Sequence, residues 1–370
     1  LSSPWSTRER LSYSVTAESL GCDSLVGDLT KAVGTISNHP MSSDYHEMTA
    51  GSSALAPEGQ PSMTGGHTFK YTPDLESTVP ELRTSDTRIE ITTRRRRLTS
   101  LRKPAQISEA IDFWSLAGAA ANVVMQLGWP EVAYGVMESK VESGSLMKHP
   151  WKRARTTSQY LAVAVLGTDE EKEAFREAVN SAHRHVKSDD RSPVKYNAFN
   201  RELQLWVAAC LFIGVEDSHQ LLHGVMSEED SEEFYQSAKT LGTTLQVPDD
   251  MWPATRKDFD HYWNVACQRV VIDDTTCEFL NDLVDLKMIN PLIRLPFVNL
   301  LRFLTIGFLP PLFHRQLGLV WTEDDRRRFQ HLFTFVSIVN KFLPKFLRQG
   351  ATRVLMKDLK FRMKHQRDMI

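Results

Sequence analysis

WKRARTTSQYLAVAVLGTDEEKEAFREAVNSAHRHV, residues 151–186, holds two consecutive helical periods and the break between them. At about 100° per residue, Arg153, Thr157, Tyr160 and Ala164 fall in one narrow stripe of the first period. Its second half, Leu161-Ala162-Val163-Ala164-Val165, is apolar all round and therefore predicts burial. Thr168 opens the second period with Glu171 three residues on, the capping-box spacing. Over 169–186, Phe175, Ala178, Val179, Ala182 and Val186 form a core stripe. His183 and His185 flank it on opposite sides, each roughly 80° from its centre. Helical geometry does not choose between these two histidines.

The same periodicity extends outward, from about residue 105 almost to the C-terminus. Ser108 is expected to cap a helix through 109–126, and a second helix follows Trp129-Pro130. Asn200 opens a long apolar helix through Leu205, Trp206, Val207 and Leu211. Ser227, Thr255 and Thr322 are further expected N-caps. No run of alternating strands and no repeat of 20–50 residues occurs, so the predicted class is all-α. Leu295 to Phe313 is strongly apolar but contains Asn299 and Arg302 and includes Pro310-Pro311. It is expected to be a buried core helix rather than a span; partial insertion at a membrane surface is the alternative.

Residues 1–104 differ. They are rich in Ser, Thr and Gly, lack helical periodicity, and end in a basic run, Arg94 to Arg97, then Arg102 and Lys103. The expectation is a disordered segment with a solvated basic linker, followed by one large helical domain over 105–370. The first residue is Leu, which predicts a fragment, a processed product or a frame begun too early, with Met41, Met48 and Met63 as candidate starts. The formal net charge of −2 over 370 residues argues against a protein built to wrap nucleic acid. Cys22, Cys210, Cys267 and Cys277 are too few and too scattered for a disulfide scaffold or a thiolate zinc site. No apolar run marks a signal peptide, and the expected location is cytoplasmic, with peripheral membrane contact as an option.

Walker, G-x-G-x-x-G, G-x-S-x-G and H-E-x-x-H motifs are all absent. What remains is a set of polar residues in unusual places. Arg153 and Thr157 lie one turn apart on a helix that enters the core. An unpaired buried guanidinium is costly, so Arg153 needs either a carboxylate from another helix or an anionic ligand. Arg155 points to the opposite side, as a surface residue would. A histidine at the edge of a core stripe is usually structural, but His183 or His185 also suits haem ligation. His219 and His223 have metal-ligand spacing without a third ligand nearby, and Glu228 to Glu233 reads as a solvated helix start.

With those residues in view, the chain resembles the haem-dependent oxygenases that include bacterial rubber oxygenases (latex clearing proteins) and the fungal ER-bound mpaB-type oxygenase, which cleaves a prenyl side chain. The matching elements run in order: Pro150-Trp151-Lys152-Arg153 with Thr157 and Tyr160; Leu166-Gly167-Thr168; and His183-Arg184-His185-Val186 as an H-x-x-V element. Then come Tyr196-Asn197-Ala198, Leu203 to Ala209, Val247-Pro248, Phe259-Asp260-His261-Tyr262, Leu309-Pro310, Arg315 and Gly318 to Trp321. The resemblance covers about residues 110–350.

It implies a globin-like helical core around haem b, with His183 as the axial iron ligand and Arg153 and Thr157 as the pocket's polar pair. Rubber oxygenases can carry a distal lysine just before that threonine; here the position is Thr156, so that detail does not transfer. The implied activity is a haem b oxygenase that joins dioxygen to an apolar substrate, isoprenoid or lipid-like. A haem sensor or carrier, and a cofactor-free helical interaction protein, are the other readings.

Overall fold

Asn200 accepts hydrogen bonds from the backbone N–H groups of Glu202 at 2.8 Å and Leu203 at 3.4 Å. The helix it opens, Arg201–His223, is the axis around which the others pack. Its apolar residues cover the whole circumference, and Trp206, Phe212 and Ile213 are fully buried. A helix apolar on all sides has to be central, because no face of it gains from meeting water.

The computed structural model describes residues 82–91, 106–141 and 144–370. Helices of eight or more residues in these segments are α1 (Ala119–Gln126), α2 (Pro130–Met137), α3 (Pro150–Leu166), α4 (Asp169–His183), α5 (Arg201–His223) and α6 (Glu228–Ser237). The series continues with α7 (Arg256–Gln268), α8 (Asp274–Val284), α9 (Val298–Gly307), α10 (Glu323–Phe342) and α11 (Gly350–Lys364). The fold is all-α. Among the described residues the nearest approach to a sheet is one antiparallel bridge, Lys187 to Asn197. Helices α1 and α10 pack on α5, α4 and α11 pack on α3, and α9 bridges α8 and α10.

Local chemistry explains most boundaries. The Thr168 hydroxyl accepts from the Glu171 N–H at 3.3 Å, and the Glu171 carboxylate accepts from the Thr168 N–H at 3.0 Å. Thr255 and Thr322 cap α7 and α10 in the same manner, and the Ser227 hydroxyl accepts from the Asp230 N–H at the start of α6. Gly167, between α3 and α4, donates its N–H to the Val163 carbonyl at 2.8 Å. A Cβ there would stand 2.6 Å from that oxygen, so the close turn requires glycine. Gly318 has φ +63°. It ends the helix Pro311–Gln316 with the Leu319 N–H returning to the His314 carbonyl at 2.9 Å, a Schellman closure.

Four expectations are corrected. The helix expected over 109–126 is three pieces: Ile107–Ala110, a 3₁₀ segment Phe113–Gly118, and α1. Asp112, not Ser108, is the capping residue there, accepting from the Trp114 N–H at 2.9 Å; its side chain competes with helix continuation. Helix α4 stops at His183, short of Val186. The Leu295–Phe313 stretch is not one buried helix. Pro296 and Pro310 divide it, and its first part is exposed at Leu295 and Phe297, whereas Ile306 to Phe313 enters the core.

The fourth correction concerns the N-terminal segment. Residues 82–91, placed with the disordered tail, are part of the helical unit. Thr87 is fully buried, and its carbonyl accepts from the Trp263 indole at 2.9 Å. Arg88 pairs with the carboxylates of Glu216 and Asp217, both buried on α5. Arg256 grips Glu216 from the other side with two hydrogen bonds, 3.0 and 2.9 Å. Burial alone would raise the Glu216 pKa, but the two guanidinium charges outweigh it and hold the group below the usual range. Residues 1–81 and 92–105, including the basic run at 94–97, lie outside the described residues.

Candidate functional site

Helices α3 and α4 carry the site. Along the α3 stripe, Ala164 and Tyr160 are buried, Thr157 is half-buried, and Arg153 keeps solvent contact. Arg153 thus sits at the open end of a stripe that runs inward. The surrounding protein still lowers its guanidinium pKa through lost solvation alone. Among the described residues no carboxylate pairs with Arg153 and no side-chain hydrogen bond reaches it.

His183 ends α4 beside it. Burial first, and the positive charge of Arg153 second, push its imidazole pKa down to about 4. The ring is therefore neutral at physiological pH. Its Nδ1 is enclosed with no hydrogen-bond partner, and the Phe199 ring meets it edge-on with centroids 6.3 Å apart. His185 lies just past the helix end and is exposed. It borders a different, polar cleft with Glu138, Asp189, Arg191 and Tyr196. The two histidines that helical geometry left equivalent are distinguished by their surroundings, and it is His183 that neighbours Arg153.

A buried amide chain holds α4 in place. Gln246 donates from Nε2 to Asn180 Oδ1 at 2.5 Å, one turn before His183. The Gln246 backbone N–H donates to Gln204 Oε1 at 3.1 Å, and Gln204 Nε2 donates to the Ala198 carbonyl at 2.8 Å. The chain beyond α4 returns through the Ala198 N–H to Val186 carbonyl bond at 3.0 Å and the Ser188 N–H to Tyr196 carbonyl bond at 2.9 Å. This return delivers Phe199 to His183. The Tyr160 hydroxyl donates to the Leu241 carbonyl at 2.5 Å, and Arg176 Nε donates to the Thr244 carbonyl at 2.8 Å, tying both helices to the same 241–246 segment. Sequence reading missed Asn180, Gln246 and Phe199, and took Gln204 only as part of the Leu203 to Ala209 element, without this role.

The opposite side of α3 serves packing. Arg155, expected at the surface, is partly enclosed and donates to Gln159 Oε1 at 2.9 Å and to Asp358 of α11 at 3.3 Å. The correction follows from α11, which covers that side. The Thr156 hydroxyl, at the position where rubber oxygenases can carry lysine, donates back to the Arg153 carbonyl at 3.0 Å. His219 and His223 stack with centroids 4.5 Å apart. Among the described residues no three His, Cys, Asp or Glu gather in a way that would hold a bare metal ion.

Residues 110–338 match the family described as ER-bound oxygenase mpaB/B'/Rubber oxygenase, catalytic domain. The chain belongs to this family. The domain is therefore an oxygenase catalytic domain, as the sequence resemblance implied, and the chain is an enzyme of that class. It is also 42% identical over 251 residues to the uncharacterized protein Mb2261 of Mycobacterium bovis, covering 68% of this chain and 98% of that one. The uncharacterized protein Rv2237 of Mycobacterium tuberculosis matches with the same identity and coverage. No solved structure matches significantly. In this oxygenase domain no described helix is long and apolar enough to cross a membrane.

Proposed function

We propose that the protein is a haem b-dependent oxygenase acting on an apolar, isoprenoid or lipid-like small molecule, with His183 as the axial iron ligand. The observation that carries this reading is the pairing of His183 with Arg153. One is a neutral imidazole with an enclosed, unpartnered nitrogen; the other is an exposed guanidinium with no carboxylate partner among the described residues. Both features fit a haem. Iron takes the lone pair of a neutral imidazole, and haem propionates are anions of the kind a planar guanidinium binds through paired hydrogen bonds.

When bound, haem b supplies the redox chemistry that activates dioxygen. The chain's own residues do the rest. His183 stays unprotonated because burial and Arg153 both oppose its charge. Arg153, exposed at the outer end of the stripe, offers its N–H donors to an anionic group. Thr157, one turn further in, presents a hydroxyl that orients Arg153 or a polar atom beside it. Tyr160 and Ala164 close the stripe with buried, largely apolar surface that excludes water and favours an apolar substrate. The reading in which Arg153 merely pairs with a buried carboxylate has no such carboxylate among the described residues to support it.

The test is an absorption spectrum of the chain produced with ample haem, followed by oxygen uptake with polyisoprenoid and short alkene substrates. A Soret band that disappears in His183→Ala, with alkene-dependent oxygen uptake in the parent chain, is the expected result. A Soret band without uptake would favour a sensor or carrier. No Soret band at all would return the domain to a cofactor-free role.

A further inference from the structure

Helix α10 is amphipathic in the wrong sense over its second half. Its first half behaves ordinarily: Phe329 and Phe333 are buried, while Asp324, Arg327, Arg328 and His331 face solvent. Beyond His331 the pattern inverts. Ser337 and Asn340 are the buried residues, and the outward stripe continues as Phe335, Ile338 and Phe342. The spacing 331, 335, 338, 342 keeps one face of the helix. Phe335 is 65% exposed and Phe342 83% exposed. Two residues past α10, the short helix Lys345–Arg348 adds Phe346 and Leu347, also more than half exposed. Aromatic side chains left in water at helical spacing mark a contact surface rather than scattered exposure.

Charge identifies what that surface meets. Residues 341–370 contain nine Lys and Arg against two Asp, in a chain whose formal net charge is −2. The outer face of α11 places Lys357 and Lys364 alongside Val354 and Phe361. Lys341, Arg353, Lys357 and Lys364 have no carboxylate partner among the described residues. A second copy of the chain would set this positive charge against itself. A nucleic acid would take the charge but give the aromatic stripe nothing to enter. An anionic lipid bilayer satisfies both, with headgroups for the cations and acyl chains for the rings. The apolar run is too short to cross a bilayer, so it would lie in the plane of the interface.

We propose that the second half of α10 and the Lys345–Arg348 helix, with the lysines of α11 that follows them in the chain, form a docking site for anionic membrane. The inference is independent of the haem assignment and uses none of its residues.

The experiment is flotation of the full chain with vesicles of phosphatidylcholine and of equimolar phosphatidylcholine and phosphatidylglycerol. Partition into the anionic vesicles should exceed that into the neutral ones by about tenfold or more and weaken as salt rises. F342S/F346S changes only exposed side chains and should abolish flotation with the melting temperature unchanged. K341E/K357E should do the same for anionic vesicles. L295S/F297S, in the other exposed apolar segment, should float normally. A Phe342→Cys chain carrying an environment-sensitive fluorophore should shift to the blue only with anionic vesicles, and this reading needs no unfolded-state control. Four results would overturn the proposal: no flotation with anionic vesicles; flotation indifferent to F342S/F346S; flotation lost only in L295S/F297S; or a dimer that F342S/F346S converts to monomer without any lipid binding.

Discussion

Arg153 on the first turn of α3 stands close enough to His183 at the end of α4 for its charge to lower the histidine's pKa, and no carboxylate among the described residues pairs with Arg153. The histidine is therefore held neutral, by burial first and by the Arg153 charge second. That arrangement organises the predictions about the site.

His183→Ala is expected to remove the Soret band of the haem-loaded chain, whereas His185→Ala should leave it nearly intact. His185 is exposed and borders a separate cleft with Glu138 and Tyr196. Haem titrations of both variants, read at the Soret maximum, check this. A band kept by His183→Ala and lost by His185→Ala would place the ligand on the other side of the helix end.

Arg153→Lys keeps the charge but loses the planar fork, so haem affinity should fall by about tenfold or more, the equivalent of a lost charge-assisted hydrogen bond of about 1.5–3 kcal/mol. Apo-protein stability should change little, because Arg153 makes no ion pair with the described residues. Thr157→Val should have a smaller effect in the same direction. A lowered apo melting temperature with unchanged haem affinity would show that Arg153 only holds helices together.

The pH dependence of apo-protein stability has a definite sign. The folded pKa of His183, about 4, lies below the unfolded value near 6.5. Between those values the unfolded chain binds more protons, so stability is full above about pH 6.5, declines as pH falls toward 4, and is flat with respect to this group below that. The effect is on the order of 2 kcal/mol after allowing for the ring's partial solvent contact. His183→Gln should flatten the urea-midpoint profile across that window relative to the parent chain. An unchanged profile would mean that the ring is not held neutral.

Arg88→Ala should destabilise the protein by about 3–5 kcal/mol, since it strips a partner from the buried carboxylates of Glu216 and Asp217. A chain beginning at residue 105 should lose at least as much, because it also removes the Thr87 carbonyl that accepts from Trp263. Denaturant melts of both proteins measure this. An unaltered melt for the chain from 105 would restore the shorter domain boundary. The Arg88→Ala loss should shrink in acid, where protonation of Glu216, held low by Arg88 and Arg256, removes the charge that the arginines offset.

Much of this protein is written locally, and what is local could be read from the chain. Thr168 with Glu171, Asn200, Ser227, Thr255 and Thr322 each satisfy the free N–H groups of their own helix, so their side chains mark helix starts whatever packs around them. The long apolar run opened by Asn200 marked a helix; that it is the central one is seen only in the packing. The stripe of Arg153, Thr157, Tyr160 and Ala164 was visible because helical angles depend on spacing alone. Other features depend on what arrives from far along the chain. Whether Arg153 would find a carboxylate, and whether His183 or His185 would be enclosed, depended on Gln246, Gln204 and Phe199 reaching the end of α4. Residues 82–91 looked like tail because they have no apolar period; they are held instead by charges on α5, 128 and 129 positions away. The packing of α5 and α9 against the opposite face of α10 leaves Phe335 and Phe342 in solvent. Periodicity states that a helix has a face to bury, whereas the partner that buries it is a property of the folded chain.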